Sequence, residues 1–244
     1  MMEKGIYCTI DEREGYAVDY KTLLRYFEEC LSVEYRHVEE DGSFFVKREN
    51  DRVTVFFEKS NGREDWRNNF AFSARPYRDM KEPWLCHRGF MKVFRAILPY
   101  LEEIFFDESV KSYCFVGYSH GAALALLAEE YLLFHRPELM GSVEGYGFGC
   151  PRVIAGHIPK SLKERLARFT VIRNFDDIVT HLPPRIFGYS HVTKPWVIGR
   201  RGRYSMLEAH FDTSYTRELH LAATEEKKEE SCDTGGNGSC TCRK

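Results

Sequence analysis

Tyr113-Cys114-Phe115-Val116-Gly117-Tyr118-Ser119-His120-Gly121-Ala122-Ala123-Leu124 is the stretch that decides the fold of this chain. Residues 113–116 form a short apolar run typical of a buried strand. Residues 122–134 are rich in helix formers. Between them stands Gly117-Tyr118-Ser119-His120-Gly121, a G-x-S-x-G pattern. In that pattern a serine sits on a sharp strand-to-helix turn, which pushes its hydroxyl out of the sheet. The flanking glycines lack the Cβ atoms that would clash with a tight backbone. The backbone N–H of His120 then points at a developing oxyanion, and the helix N-terminus adds a favourable partial charge. The bare pattern also arises by chance. The strand before it and the small residues Gly121, Ala122 and Ala123 after it give it specificity. The bland alternative is a glycine-containing turn with an idle serine.

Strands and helices alternate outward from this point. Residues 43–47 and Arg52–Phe57 read as strands joined by the polar turn Glu49-Asn50-Asp51. Residues 90–106 carry apolar side chains at helical spacing, and Pro99 is expected to kink that helix. Val143–Phe148 and residues 169–173 read as strands, and residues 158–168 as a helix. The alternation predicts a mostly parallel central sheet with helices on both faces; together with the G-x-S-x-G turn, the fold class expected is the α/β-hydrolase fold. One domain is expected over residues 1–223. Residues 1–42 form an N-terminal extension packed on it, with Asp19 capping a helix that carries Leu23, Leu24, Tyr26, Phe27 and Leu31. From residue 224 a charge run gives way to glycine, asparagine and serine, so 224–244 is expected to be a disordered tail. Its Cys232, Cys240 and Cys242 have no histidine beside them, which favours a flexible tail over a metal site.

The chain has 244 residues, enough to bury a sizeable core, and its 30% of charged residues fits a soluble protein. A net charge of -2 gives no global basic field to attract nucleic acid or anionic membranes. No stretch is long and apolar enough to span a bilayer. The N-terminus, Met1 to Cys8, shows no apolar leader region, so a cytoplasmic location and reduced cysteines are expected.

A serine hydroxyl needs a base at neutral pH, and the base needs an orienting carboxylate. In this fold the chain order is serine, acid, histidine. The stretch Arg173-Asn174-Phe175-Asp176-Asp177-Ile178-Val179 supplies two aspartates just beyond a strand, and pattern alone does not separate them. Four histidines follow: His181, His191, His210 and His220. His181 is close to the acid in sequence, His191 lies in an alternating strand-like run, and His220 lies near the end of the fold. His210 follows the strand-like run in a polar segment, where a catalytic loop belongs, and position favours it.

Four further stretches resemble the class 3 lipases, from about Val53 to Tyr215. They are Val55-Phe56-Phe57-Glu58-Lys59-Ser60 with Asp65-Trp66; His87-Arg88-Gly89-Phe90; Tyr146-Gly147-Phe148-Gly149-Cys150-Pro151-Arg152-Val153; and Asp177-Ile178-Val179-Thr180-His181-Leu182-Pro183-Pro184. The resemblance implies that Asp177 is the acid and His210 the base for Ser119. It implies an oxyanion hole from Ser60 and the N–H of His120, and a structural role for His191. Departures from the family pattern fall at Glu58 and Lys59, for arginine and glycine, and at Ala122 and Ala209. The implied activity is serine-dependent hydrolysis of carboxylic esters of acylglycerol-like lipids, with no metal or organic cofactor. Residues 61–83 occupy the place of the family lid. An amphipathic lid would offer Trp66, Phe70, Phe72 and Tyr77 to an acyl chain or transiently to a lipid surface; a packed loop is the alternative. Other readings are a non-catalytic interaction module on the same fold, a small-ester esterase and an acyltransferase.

Overall fold

The computed structural model describes residues 19–38, 42–59, 73–77 and 84–233, with side chains described as far as residue 226. Helix α1 (Tyr20–Ser32) begins as expected, with Asp19 Oδ1 accepting the N–H of Thr22 at 2.7 Å. Its Leu23, Tyr26, Phe27 and Cys30 point inward, and Phe27 packs on Tyr118, Phe148 and Tyr215.

Among the described residues the main sheet has seven strands. They are β1 (Arg36–Val38), β2 (Gly42–Glu49), β3 (Arg52–Phe57), β6 (Ser112–Tyr118), β7 (Val143–Phe148), β9 (Phe169–Asn174) and β11 (Trp196–Ile198), side by side in that order. From β3 onward all neighbours are parallel, while β1 and β2 form an antiparallel edge. The carboxyl ends of the parallel strands therefore meet on one rim, where active sites of open α/β sheets lie. Four short strands make a second, antiparallel sheet: β4 (Ala74–Pro76), β5 (Leu85–His87), β8 (Ile154–Ala155) and β10 (Tyr189–Ser190).

Helix α2 (Arg88–Phe105) buries Phe90, Val93, Phe94, Ile97 and Leu101 on one face, and it runs on through Pro99. Helix α3 (His120–His135) is buried on every side, including Glu129 and Glu130. A helix enclosed in this way needs apolar residues all round, and His120, Glu129 and Glu130 are its buried polar exceptions. Glu130 is met by Arg165 of α4 (Lys160–Arg165), whose Nη2 and Nε lie 2.9 and 3.0 Å from its oxygens. A three-residue turn, Leu166–Arg168, completes the helical stretch expected there.

Three expectations change. The strand-like run from Tyr189 to Ile198 is two strands in different sheets. Pro195 has no N–H to give a ladder, and it restricts Lys194 before it. His191 lies between those strands. Helix α5 (Asp212–Asp233) continues nine residues beyond the expected onset of the tail at 224, because Ala222, Ala223 and the Glu/Lys run are strong helix formers. Tyr77, counted among the lid aromatics, is buried and stacks on Trp84 with ring centres 4.5 Å apart. Trp66, Phe70, Phe72 and most of the lid stretch, along with Ser60, Cys240 and Cys242, lie outside the described residues.

Candidate active site

The turn from β6 to α3 holds Ser119 at φ 57°, a left-handed conformation that a side-chain-bearing residue adopts at a cost of about 1–3 kcal/mol. The surroundings enforce it. The Ser119 N–H donates to the carbonyl of Phe148 at 2.8 Å. A Cβ on Gly121 would stand 2.2 Å from the carbonyl oxygen of Phe57, so only glycine lets the helix start this close to β3. As the first residue of α3, His120 has no intrahelical acceptor for its N–H.

Ser119 Oγ lies 2.8 Å from His210 Nε2, and His210 Nδ1 lies 2.9 Å from Asp177 Oδ2. All three side chains are buried. Because Nδ1 faces a carboxylate, it carries the ring proton, which leaves Nε2 free to accept from the serine hydroxyl. His210 ends the short turn Glu208–His210 that precedes α5. Asp177 follows β9, its backbone N–H bonded to the Asn174 carbonyl at 3.0 Å. Its Oδ1 accepts from the N–H of Val179 at 2.8 Å, and its Oδ2 also accepts from the Tyr215 hydroxyl at 2.6 Å.

Neighbouring groups fix the histidine turn. Asn174 Nδ2 donates to the Ala209 carbonyl at 2.9 Å, and the Tyr118 hydroxyl donates to the carbonyl of His210. Gly149, at φ 58°, passes so close that a Cβ there would lie 2.8 Å from His210 Cε1. The His120 imidazole turns into the core beside Phe90. Burial, with His87 adding to it, pushes its pKa down to about 4, so the ring stays neutral.

The other candidate residues make different contacts. Asp176 is half-buried and accepts from the N–H of Gly202 at 2.6 Å, away from His210. His191 Nε2 is 2.8 Å from the Thr180 carbonyl, His181 stands beside Arg152, and His220 lies on the exposed face of α5, 3.0 Å from Glu28. The supporting contacts of Tyr118, Asn174 and Tyr215 were not read from the sequence. They join residues 35 to 92 positions apart, and no spacing rule spans that separation.

Among the described residues no three His, Cys, Asp or Glu side chains are grouped to hold a metal ion, and no helix is long and apolar enough to cross a membrane. Cys30, Cys86, Cys114 and Cys150 are free and buried. A cavity of about 350 Å³ lies at the opposite rim of the sheet, lined by Tyr26, Lys47, Arg52 and Glu144. Two of its cations are already paired, Lys47 with Glu29 and Arg52 with Glu144, each at 2.6 Å.

Residues 54–187 match the family model of the class 3 lipases. Over 115 residues the chain is 31% identical to a secreted mono- and diacylglycerol lipase of Malassezia restricta, an overlap of 43% of this chain and 35% of that protein. The chain thus spans about a third of the length of the curated relative it matches. Among solved structures, the triacylglyceride lipase of Rhizomucor miehei is similar at a TM-score of 0.60 and 20% identity, covering 75% of this chain and 82% of that one. Lipase II of Rhizopus niveus gives 0.54 and 24%, covering 62% and 59%. These likenesses carry the α/β-hydrolase fold. The Malassezia relative is a secreted protein, which overturns the cytoplasmic location expected from the N-terminal residues.

Proposed function

From the premise that this chain belongs to the class 3 lipases, we propose that it is a serine-dependent carboxylic-ester hydrolase acting on acylglycerol-like lipid esters. The observation that carries this reading is the unbroken hydrogen-bonded series from Ser119 through His210 to Asp177.

In the proposed reaction His210 Nε2 takes the hydroxyl proton as Ser119 Oγ bonds to the ester carbonyl carbon. Negative charge moves to the carbonyl oxygen, where the N–H of His120 receives it. In this reading Ser60 supplies the second donor, a role the resemblance to the family pattern supports. Losing one such donor typically costs about 3 kcal/mol of barrier. The carbon–oxygen bond to the alcohol then breaks, and His210 returns its proton to the leaving oxygen. Water, deprotonated by the same imidazole, attacks the acyl-enzyme. The carboxylic acid leaves and Ser119 regains its proton. Asp177 holds the ring and stabilises its charged form, with its other oxygen and Tyr215 keeping the carboxylate in place.

A lipid substrate is supported by the rim beside His210. Met206, Leu207 and Phe211 expose 60%, 62% and 51% of their surfaces within five residues of it. Such apolar side chains suit transient contact with a lipid surface. Turnover of p-nitrophenyl esters from short to long acyl chains tests the proposal. Hydrolysis that favours long chains is the expected result. A preference for acetate would move the reading to a small-ester esterase. Absence of turnover at every length would leave a non-catalytic module on this fold.

A further inference from the structure

Lys59 stands where the class 3 pattern has a glycine, directly before Ser60. Its ammonium lies 2.5 Å from Asp212 Oδ2 and 5.6 Å from the centre of the Tyr118 ring, within cation–π range. Both partners adjoin reacting groups. Asp212 is two residues past His210 and opens α5, and its Oδ1 accepts the N–H of Thr213 at 2.8 Å. Tyr118 precedes Ser119, and its hydroxyl donates to the His210 carbonyl. The backbone of Phe57 and Glu58, which leads into Lys59, lies against Gly121 in the first turn of α3. One cation thus joins the end of β3, the end of β6 and the turn that carries the histidine.

We propose that Lys59 is a positioning residue for the hydrolysis described above. Its ion pair with Asp212, laid over the Tyr118 ring, holds the end of β3 and the end of β6 in a fixed relation to the His210 turn. This inference rests on the hydrolase reading, and it adds a group that the family pattern does not supply. The ammonium touches no reacting atom. It sets where the His210 turn stands relative to the turn that carries Ser119.

The pair is poorly placed to act through stability. Lys59 and Asp212 are 42% and 34% exposed, and ion pairs in that setting add little to the folded state. Position is a different matter, because a displacement of about 1 Å in a reacting group costs up to about 100-fold in rate. The hydrogen bond from Lys59 holds the Asp212 carboxyl below the usual carboxylate range.

The test uses the full chain and a soluble p-nitrophenyl ester, with Lys59→Met, Asp212→Asn, the double variant and Lys59→Arg. Each single neutral variant is expected to lower kcat about tenfold, with KM and Tm within error of wild type, a modest part of the range for misplaced groups. The double variant is expected to be no worse than either single one, since one shared interaction is lost once. Lys59→Arg, which keeps the charge and reach, is expected to restore most of kcat. A kcat for Lys59→Met within twofold of wild type, or losses that multiply in the double variant, would overturn the proposal. Amide hydrogen exchange of Lys59→Met supplies a readout independent of turnover. Exchange is expected to quicken together in residues 58–60 and 210–213, and unchanged exchange in either turn contradicts the clamp. Should wild type show no Ser119-dependent turnover while both turns loosen, the hydrolase reading fails and the clamp stands.

Discussion

Tyr215 donates its hydroxyl to Asp177 Oδ2 at 2.6 Å, the same oxygen that His210 Nδ1 reaches at 2.9 Å. The phenol oxygen also accepts the backbone N–H of Asn174 at 3.0 Å, so one buried side chain ties the acid, the end of β9 and α5 together. Replacing Tyr215 with phenylalanine keeps the ring and removes both bonds. The Asn174 N–H is left buried without its acceptor, at a cost of about 1–3 kcal/mol in urea unfolding. The Asp177 carboxylate loses one of its fixed donors, so kcat is expected to fall several-fold while KM holds. Steady-state kinetics beside a urea titration separate the two effects.

The buried pair of Glu130 and Arg165 predicts a second outcome, on stability alone. Arg165 of α4 meets Glu130 through two nitrogens, and Glu130 lies eleven residues along the chain from Ser119. Arg165→Met strands a buried carboxylate and is expected to cost about 3–5 kcal/mol. Replacing both residues with apolar side chains of similar volume is expected to recover most of that loss. A midpoint shift in urea that is no smaller in the double variant would show that the pairing is not what matters.

Acid sensitivity follows from two buried imidazoles behind the nucleophile. Burial pushes the pKa of His87 and of His120 down to about 4 from the ordinary 6.5, with His87 adding to the effect at His120. Between those values the unfolded chain binds protons that the folded chain refuses. Their contribution to stability is therefore complete above about pH 6.5 and is lost as the pH falls toward 4. Each group can steepen the dependence by at most about 1.4 kcal/mol per pH unit in that window. Thermal unfolding of wild type and His120→Leu from pH 7 to 4.5 checks this. The leucine variant is expected to lose stability less steeply, and parallel curves would remove His120 from the account.

Met206 and Leu207 provide a test of the lipid-facing rim. Both are well exposed and close to His210, so changing both to serine should leave the fold and the buried site intact. Hydrolysis of an emulsified acylglycerol is expected to drop several-fold, with little change on a short soluble ester. Equal losses on the two substrates would place these residues in support of the site rather than at a lipid surface.

Much of the fold was legible because its signals are local. The apolar run before Ser119 and the small residues after it fixed β6 and α3, and Asp19 announced the start of α1. The site needed more than local pattern. Periodicity left Asp176 and Asp177 equal, and only the family resemblance chose between them. The structure separates them by burial: Asp177 is enclosed with three donors, and Asp176 reaches Gly202 at the surface. The contacts of Tyr215, Tyr118 and Lys59 have no local signal, because each reaches across the fold to a partner far along the chain. The end of α5 was misplaced for another reason. A run of glutamates and lysines after two alanines reads as a solvated tail by composition, yet those residue types prolong a helix once tertiary contacts have started it.

Covalent labelling tests the central claim most directly. A long-chain p-nitrophenyl phosphonate mimics the tetrahedral intermediate and bonds to a serine that has a working base and oxyanion hole. The account predicts one equivalent of p-nitrophenol released, the phosphonyl mass on the peptide that contains Ser119, and no labelling of folded Ser119→Ala or His210→Ala. Phosphonyl mass on any other residue, or equal labelling of the wild type and the Ser119→Ala variant, would contradict it.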